Sequence, residues 1–175
     1  MHETPDDLVS LQRLLDESFA HAGPHLLSII EPSRRLSAVE VSDRLQGMRL
    51  LALATVTQDG RPLVGPVDGI FFRGSFYFGS SPDSVRLRHI RSRPAVSATH
   101  VPSEALAVTV HGEARPIDLE ASEHEQFRQT VLDIYTPQYG ADWESFLEEE
   151  SAYVRIDARR MFTFHMDETS SGDER

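Results

Sequence analysis

The chain lacks two residue types that carry much of protein chemistry. It has no cysteine, which excludes disulfide bonds, thiolate catalysis and cysteine-ligated zinc or iron–sulfur sites. Its 17 basic residues are all arginine, with no lysine among the 175 residues. This excludes Schiff-base catalysis and the phosphate-binding lysine of a P-loop. A positive site in this protein must therefore be built around arginine.

Long apolar runs and an excess of positive charge are also missing. No run approaches the roughly 18 apolar residues of a membrane span. The acidic N-terminal segment MHETPDDL has neither the basic nor the apolar region of a secretory signal. The formal net charge of −11 disfavours nucleic acid and anionic membranes as partners. We therefore expect a cytoplasmic protein that binds neither nucleic acid nor membrane.

The residues that are present suffice for one domain with an appendage. Apolar residues make up 39% of the chain, enough to build one core. An apolar stripe at helical spacing predicts a helix over Pro5–Phe19. A capping-box pattern predicts a second helix over Ser37–Leu45. We expect a helical extension over 1–36, the main domain over 37–166 and a disordered tail over 167–175.

From Arg49 onwards the pattern changes to that of short strands joined by turns. Strand-like runs are found at Leu51–Val56, Leu63–Val67, Ile70–Phe72, Ser75–Phe78, Ala95–His100, Leu106–Ala114, Tyr153–Ile156 and Met161–Met166. Helical segments are predicted at 82–92, Leu119–Asp133 and Trp143–Glu149. The proline in Gly65-Pro66 fits a strand edge or bulge better than a central ladder position. Six to seven short strands, mostly in hairpins, predict a mainly β fold, an antiparallel barrel with helical decoration.

The most informative segment, FYFGSSPDSVRLRHI, joins a strand to an arginine-rich helix. Ser81 is predicted as the N-cap of that helix and Pro82 as its first residue. The unpaired N–H groups of a helix N-terminus bind phosphate well. The Ser84 hydroxyl and the Arg86 guanidinium would add donors, with Arg88 as the second arginine. The alternative is ordinary capping beside a solvated arginine.

Other candidate residues give weaker signals. Gly79 would let a ring or a phosphate approach the backbone closely, unless the glycine serves a bend of the barrel. Tyr139 and Trp143 are predicted to be core or dimer contacts. The histidines show no metal-ligand spacing, so no metal site is predicted. His165 is predicted to be structural, with a haem-ligating role as the less favoured alternative.

The ordered set of these motifs resembles the pyridoxamine 5′-phosphate oxidase-like family of split β-barrels, which bind flavins or deazaflavins. The resemblance covers residues 45–118. The matching segments are Leu53–Val56, Asp59–Pro62, Phe76–Ser80, Ser84–Arg86, Ile90–Pro94, Val96-Ser97 and Val108–Ala114. It implies an antiparallel split β-barrel and a homodimer that holds its cofactor at the subunit interface.

The resemblance also implies a set of cofactor-binding residues. Ser84 and Arg86 match the family's phosphate-binding element. Phe78, Gly79 and Ser80 match the strand at the cofactor's edge, and Pro66 and Val67 would offer backbone groups to the ring. Arg61 and Arg88 would assist with the phosphate, and no catalytic residue stands out. FMN is the expected cofactor, with the deazaflavin coenzyme as the alternative and haem less favoured.

Two departures from the family's pattern qualify the expected activity. The segment Arg159–Met166 is not followed by the Arg-Leu-x-Pro motif with which the vitamin B6 oxidases grip their substrate. Where the family has a basic residue in the second strand, this chain has Gly65-Pro66-Val67-Asp68. We therefore expect a hydride transfer to a small unsaturated or quinone-like acceptor rather than pyridoxamine phosphate oxidation. The alternatives are a non-catalytic flavin or haem carrier or sensor, and a barrel without a ligand.

Overall fold

The computed structural model describes residues 1–140 and 143–166, so the predicted tail at 167–175 lies outside the described residues. Its strands are β1 (Met48–Val56), β2 (Pro62–Phe72), β3 (Ser75–Ser80), β4 (Ala95–Ser103), β5 (Leu106–Ile117) and β6 (Ala152–His165). Its helices are α1 (Pro5–Ala20), α2 (Pro24–Ile29), α3 (Ala38–Arg44), α4 (Val85–Ser92), α5 (Glu125–Tyr139) and α6 (Trp143–Glu150), with 3₁₀ turns at Pro32–Arg34 and Ser122–His124. Among the described residues, no helix combines the length and the apolarity that a membrane crossing needs.

The strands form a closed antiparallel barrel in the order β1-β2-β3-β6-β5-β4, with β4 returning to β1. This confirms the predicted mainly β fold with helical decoration. Two predicted pairs of short strands are single long strands, because the runs at 63–67 and 70–72 both belong to β2 and those at 153–156 and 161–165 to β6. The strand β2 pairs with β1 along most of its length and with β3 near its end. In the same way, β6 pairs with β5 along most of its length and with β3 near its start.

The proline of β2 lies at an open edge of the sheet, as its position in the sequence predicts. Pro66 is paired with Ala52 of β1, while the pairing of β2 with β3 covers only Gly69–Phe72. A proline there removes no ladder hydrogen bond on the open side. Its carbonyl instead accepts a hydrogen bond from Nη2 of Arg86 at 3.1 Å. The gap between the ends of β2 and β3 is therefore bridged by a side chain.

The N-terminal helices share the core of the barrel. Leu11 and Leu15 of α1 are buried in the same apolar cluster as the inward-facing residues of the strands. The Ser18 hydroxyl accepts a hydrogen bond from the backbone N–H of Met161 in β6, at 2.9 Å. The capping box predicted at the start of α3 is present: Ser37 accepts from the N–H of Glu40, whose carboxylate accepts from Ser37 in return. These hydrogen bonds hold the pKa of Glu40 below its usual value.

A second apolar cluster lies outside the barrel, beneath α5. Phe127 and Val131 of this helix pack on outward-facing Ile70, Phe72 and Tyr77. The helix begins six residues later than the sequence pattern predicts and extends six residues further, because a 3₁₀ turn occupies residues 122–124. This shift matters for the site, since the last turn of α5 then reaches the open edge of β2.

Candidate functional site

A pocket of about 680 Å³ lies where the outer face of the barrel meets α5 and α6. Its volume falls within the range of small-molecule sites, about 300–1,000 Å³. One wall comes from β1 and β2, another from β3 and the loop that precedes α4, and a third from α5, α6 and the start of β6. The pocket therefore forms only when segments distant in sequence come together.

Five of the nine predicted site residues line this pocket. They are Pro66, Val67, Gly79, Ser80 and Arg86. The segments of β2, β3 and α4 that the resemblance assigns to the site therefore also lie close together in the structure.

The other four predicted residues lie elsewhere. The Phe78 side chain is fully buried in the barrel core. Ser84 lines, together with Arg86, a neighbouring pocket of about 200 Å³. Arg61 is exposed in the turn after β1 and pairs with Asp59 at 2.7 Å. Arg88 is exposed on α4. Of the predicted arginines, Arg86 alone lines the larger pocket.

The start of α4 differs from the prediction. Ser84, not Ser81, is the N-cap, and its hydroxyl oxygen accepts from the backbone N–H of Leu87 at 3.2 Å. Residues 81–84 form a turn closed by a hydrogen bond from the N–H of Ser84 to the carbonyl of Ser81 at 3.0 Å. Pro82 therefore lies in this turn rather than at the first helical position. The Ser80 hydroxyl donates to the Ser84 oxygen at 3.0 Å, which ties the end of β3 to the helix start.

Arg86 is the central cation of the pocket. Its Nη1 donates to the Ser80 hydroxyl at 3.3 Å and its Nη2 to the Pro66 carbonyl at 3.1 Å. Burial lowers the pKa of its guanidinium, and within the described part of the chain no carboxylate pairs with it. A guanidinium has five N–H donors, so three remain after these two contacts. A partly desolvated cation with spare donors is a strong attractor for an anion such as phosphate.

The glycine of β3 has a role that the sequence pattern does not reveal. Gly79 is paired with Tyr153 of β6, whose ring lies over it. A Cβ atom at this position would lie 3.3 Å from Cζ and 3.4 Å from the hydroxyl oxygen of Tyr153. Gly79 therefore lets the tyrosine ring pack closely against the strand, and both residues line the pocket.

Asp68 brings a negative charge to the same pocket. It lies on β2 two residues beyond Pro66, about 7 Å along the strand. Tyr135 lies close enough to its carboxylate for the two groups to interact electrostatically. Burial, together with this charge, raises the pKa values of Tyr135 and Tyr153 well above the usual value for a phenol. Both tyrosines therefore stay protonated at neutral pH.

Three aromatic side chains form one wall of the pocket. The rings of Tyr139 and Trp143 are stacked, with centroids 4.9 Å apart, and Tyr135 lies 5.0 Å from Trp143. Tyr139 is 60% exposed, so it is not a core contact, while the predicted alternative of a dimer contact stays a prediction. Tyr135 and Tyr139 are four residues apart on α5 and share a face of that helix, which was the available signal in the sequence. Trp143 lies on α6, so only the packing of the two helices brings it to the same wall.

The possible metal ligands among the described residues are scattered. Within residues 1–140 and 143–166, no group of three or more histidine, aspartate or glutamate side chains is arranged to hold a metal ion. His165 lies twelve residues along β6 from Tyr153, about 40 Å of extended strand. The pocket therefore relies on arginine, hydroxyl, carboxylate and aromatic groups.

Comparison with known proteins identifies relatives of this fold. The family model described as pyridoxamine 5′-phosphate oxidase matches residues 38–170. No protein among curated sequences matches the chain. The conserved hypothetical protein Rv2991 of Mycobacterium tuberculosis has a similar structure, with a TM-score of 0.64 and 21% identity over 82% of this chain and 97% of that one.

Two further solved structures are similar in fold. A FAD-binding protein of Mesorhizobium loti has a TM-score of 0.55 and 24% identity over 77% of this chain and 98% of its own. The heme storage protein HutZ of Vibrio cholerae has a TM-score of 0.57 and 18% identity over 72% of this chain and 93% of its own. At these identities the similarity concerns the fold, which is shared by proteins named for different ligands.

Proposed function

The chain belongs to the pyridoxamine 5′-phosphate oxidase family, and on this basis we propose that it is a flavin-type oxidoreductase. Its cofactor would be FMN, with the deazaflavin coenzyme as the alternative, held in the pocket around Arg86. The acceptor would be a small unsaturated or quinone-like molecule. The observation that carries the proposal is the partly desolvated Arg86 guanidinium, which has no carboxylate partner among the described residues and spare donors at the pocket.

The residues around Arg86 fit a phosphate-bearing ring. Arg86 would bind the phosphate in a bidentate manner, and the Ser80 and Ser81 hydroxyls line the pocket beside it. Tyr139 and Trp143 offer flat faces against which a fused ring can stack, and they exclude water from one side. Gly79 and Tyr153 line the pocket on the side of β3 and β6.

A flavin-type cofactor, when bound, supplies the hydride-transfer chemistry, and the protein supplies binding and orientation. In this pocket Arg86 would fix the anionic end of the ligand, and the aromatic wall would set the plane of its ring. Asp68 and Tyr135 remain available for the second substrate. No side chain is assigned as a catalytic acid or base.

The haem-binding alternative has less support at this pocket. Its described lining residues include no histidine or methionine, which are among the usual ligands of haem iron. A flavin carrier without turnover would use the same contacts as the proposed enzyme. The two differ in whether a bound, reduced cofactor is reoxidised by an added acceptor.

Titration with FMN and with the deazaflavin coenzyme tests the proposal. Trp143 is the single tryptophan of the chain and lines the pocket, so its fluorescence reports binding there. We expect saturable quenching by one of the two cofactors, and reoxidation of the reduced complex by a quinone such as menadione. Absence of saturable binding by both cofactors would contradict the proposal. Binding without reoxidation by any quinone would favour the carrier.

We also propose that the protein forms a homodimer through the apolar outer face of β1, β2 and β4. Leu50, Val64 and Val101 are each more than half exposed on this face. With Ala52 and Pro66 they line a groove of about 350 Å³. Exposed apolar patches of this kind mark interaction surfaces. The groove shares Leu50 and Pro66 with the Arg86 pocket, so a second copy bound there would border the cofactor.

Val64→Glu is expected to weaken self-association at least about tenfold, because dimer formation would bury an unpaired carboxylate in each subunit. Light scattering after size-exclusion chromatography measures the change in mass. Val9→Glu is the matched control, since Val9 is similarly exposed but lies on α1. A wild-type protein that is monomeric at high micromolar concentration, or a Val64→Glu variant that stays dimeric, would refute this interface.

A further inference from the structure

A second pocket, of about 350 Å³, lies where β1 begins and β4 ends. Its volume is within the usual range of small-molecule sites, about 300–1,000 Å³. Among the described residues, Leu50 is the one that it shares with the Arg86 pocket. Its two polar side chains are Arg49 and His100, and the proposed cofactor site uses neither of them. We call it the His100 pocket.

The imidazole of His100 is a buried polar group with one nitrogen left over. Only 7% of this residue is exposed, and its Nδ1 lies 3.0 Å from the carbonyl oxygen of Leu50. Because a carbonyl oxygen can only accept, Nδ1 carries the proton, and Nε2 of the neutral ring is a hydrogen-bond acceptor. Nε2 has no partner among the described residues and is not sealed from solvent. The pocket therefore offers a fixed acceptor to a ligand that can donate a hydrogen bond.

Arg49 brings a positive charge to the same pocket. Its Nε donates to the carbonyl of Arg44 at 3.2 Å and its Nη1 to the carbonyl of Met48 at 3.5 Å, and both contacts hold the side chain in place. In the described part of the chain no carboxylate pairs with it. Three of its five N–H donors remain free. A guanidinium in this state binds a carboxylate through paired hydrogen bonds.

The rest of the pocket wall is apolar. It is formed by Met48, Leu50, Val101 and Pro102. Leu50 and Val101 are each more than half exposed, so a ligand with an apolar body would remove their surface from water. Both residues also line the groove of the proposed dimer, which places the His100 pocket at the rim of that interface.

We propose that the His100 pocket is a second ligand site, which binds a small carboxylate with a hydroxyl group on an apolar body. Arg49 binds the carboxylate, and Nε2 of His100 accepts a hydrogen bond from the hydroxyl. A carboxylate without the hydroxyl leaves Nε2 unpaired, and a neutral alcohol leaves the donors of Arg49 unpaired. The site recognises the combination of the two groups. It goes beyond the proposed function and does not depend on it.

Four planar probes test this recognition. 3-Hydroxybenzoate and 4-hydroxybenzoate carry both groups at two different separations, whereas benzoate lacks the hydroxyl and phenol lacks the carboxylate. Their affinities are measured by calorimetry on the full chain at pH 8, where imidazole is neutral. We expect one hydroxybenzoate to bind at least about fivefold tighter than benzoate, as for a neutral hydrogen bond. It should bind at least about tenfold tighter than phenol, as for a charged one.

Two variants assign the contacts. His100→Asn keeps an N–H donor for the Leu50 carbonyl but removes Nε2, so the hydroxybenzoate should fall within about twofold of benzoate. Arg49→Gln should bring it within about twofold of phenol, and it keeps the test decisive if His100→Asn does not fold. His25→Asn and Arg13→Gln are the matched controls, because both residues are exposed, on α2 and α1. Both preferences should persist in the controls.

A spectroscopic measurement locates the ligand directly. In histidine-labelled protein, the ring resonances of His100 are assigned by their loss in His100→Asn. We expect them to shift as the hydroxybenzoate saturates, while those of His25 stay in place. Saturating FMN should change the affinity by less than about threefold, because FMN is expected in the Arg86 pocket. Val64→Glu should also keep the affinity, since Val64 does not line the His100 pocket.

The outcomes separate this inference from the proposed function. Equal binding of the hydroxybenzoates, benzoate and phenol would overturn it, as would preferences that persist in both His100→Asn and Arg49→Gln. Displacement of the ligand by FMN would place it in the Arg86 pocket and refute the second site. Loss of binding in Val64→Glu would refute a site built by a single chain. Binding that depends on His100 and Arg49 in a protein that does not bind FMN would support this inference and refute the proposed function.

Discussion

Arg86→Ala is expected to weaken FMN binding by about 10- to 150-fold, the equivalent of about 1.5–3 kcal/mol for hydrogen bonds to a charged group. The reason is that Arg86 is the one predicted arginine that lines the pocket, and burial has already removed part of its hydration. A phosphate bound there would replace the lost water with charge-assisted hydrogen bonds. The measurement is a titration with FMN, followed by the quenching of Trp143 or of the flavin itself.

Arg88→Ala is the matched control for this prediction. Arg88 lies two residues away on α4 and is exposed, so its loss removes the same formal charge without removing a pocket contact. We expect less than about a twofold change in FMN affinity, since exposed charges are largely screened. Arg86→Lys should retain part of the affinity, because lysine keeps the charge but lacks the planar fork.

Arg86 also contributes to the stability of the fold. The experiment must therefore distinguish a loss of binding from a loss of stability. Its contacts with Ser80 and Pro66 join the ends of β2 and β3, so Arg86→Ala is expected to lower the melting temperature by a few degrees. The affinity is therefore compared at a temperature where both proteins are fully folded. If folded Arg86→Ala bound FMN as tightly as the wild type, the phosphate site would have to lie elsewhere.

Gly112→Ala is expected to have the largest effect on stability, a loss of about 3 kcal/mol or more. Gly112 lies in β5 beside a bulge, where the pairing with β6 shifts from His111–Arg160 to Gly112–Ala158. The extra residue brings the β6 backbone against Gly112. A Cβ atom would lie 2.2 Å from the carbonyl oxygen of Asp157 and 2.9 Å from its carbonyl carbon. Because these are backbone atoms of a paired strand, the conflict cannot be relieved by a rotamer change.

Denaturant unfolding of Gly112→Ala measures this loss. Gly23→Ala serves as the control, because an added Cβ there meets nothing within 4 Å and the backbone is extended. Its expected cost is below about 1 kcal/mol, as for a changed N-cap residue. If Gly112→Ala were as stable as Gly23→Ala, β5 and β6 would not approach each other as closely as described.

The predictability of the site differs from residue to residue. The grouping of Pro66, Gly79, Ser80 and Arg86 was predicted through the resemblance, and these residues do meet at one pocket. Arg61 and Arg88 were predicted to assist with the phosphate because the second strand lacks the family's basic residue, and both are exposed outside the pocket. Charge along a chain does not tell which side chain turns towards a pocket, because that depends on the register of α4 against the barrel.

The sequence by itself determined the local elements and the kind of fold. The capping box at Ser37 and the turn after β1 depend on groups within a few residues of each other, so short segments of sequence specify them. Alternating apolar residues and the edge position of Pro66 likewise follow from local geometry. The family follows from the order of these motifs along the chain.

Only the tertiary structure decided what surrounds each of these motifs. The ring of Tyr153 favours a glycine at position 79, and the backbone of Asp157 requires one at position 112. Each of these contacts joins residues more than 40 positions apart in the chain. Asp68 and Tyr135 meet because α5 folds back over β2. Contacts between residues so far apart depend on how the strands close into a barrel and on how the helix packs over it. For that reason the end of the pocket around Arg86 could be predicted from the sequence, while its aromatic wall and its carboxylate could not.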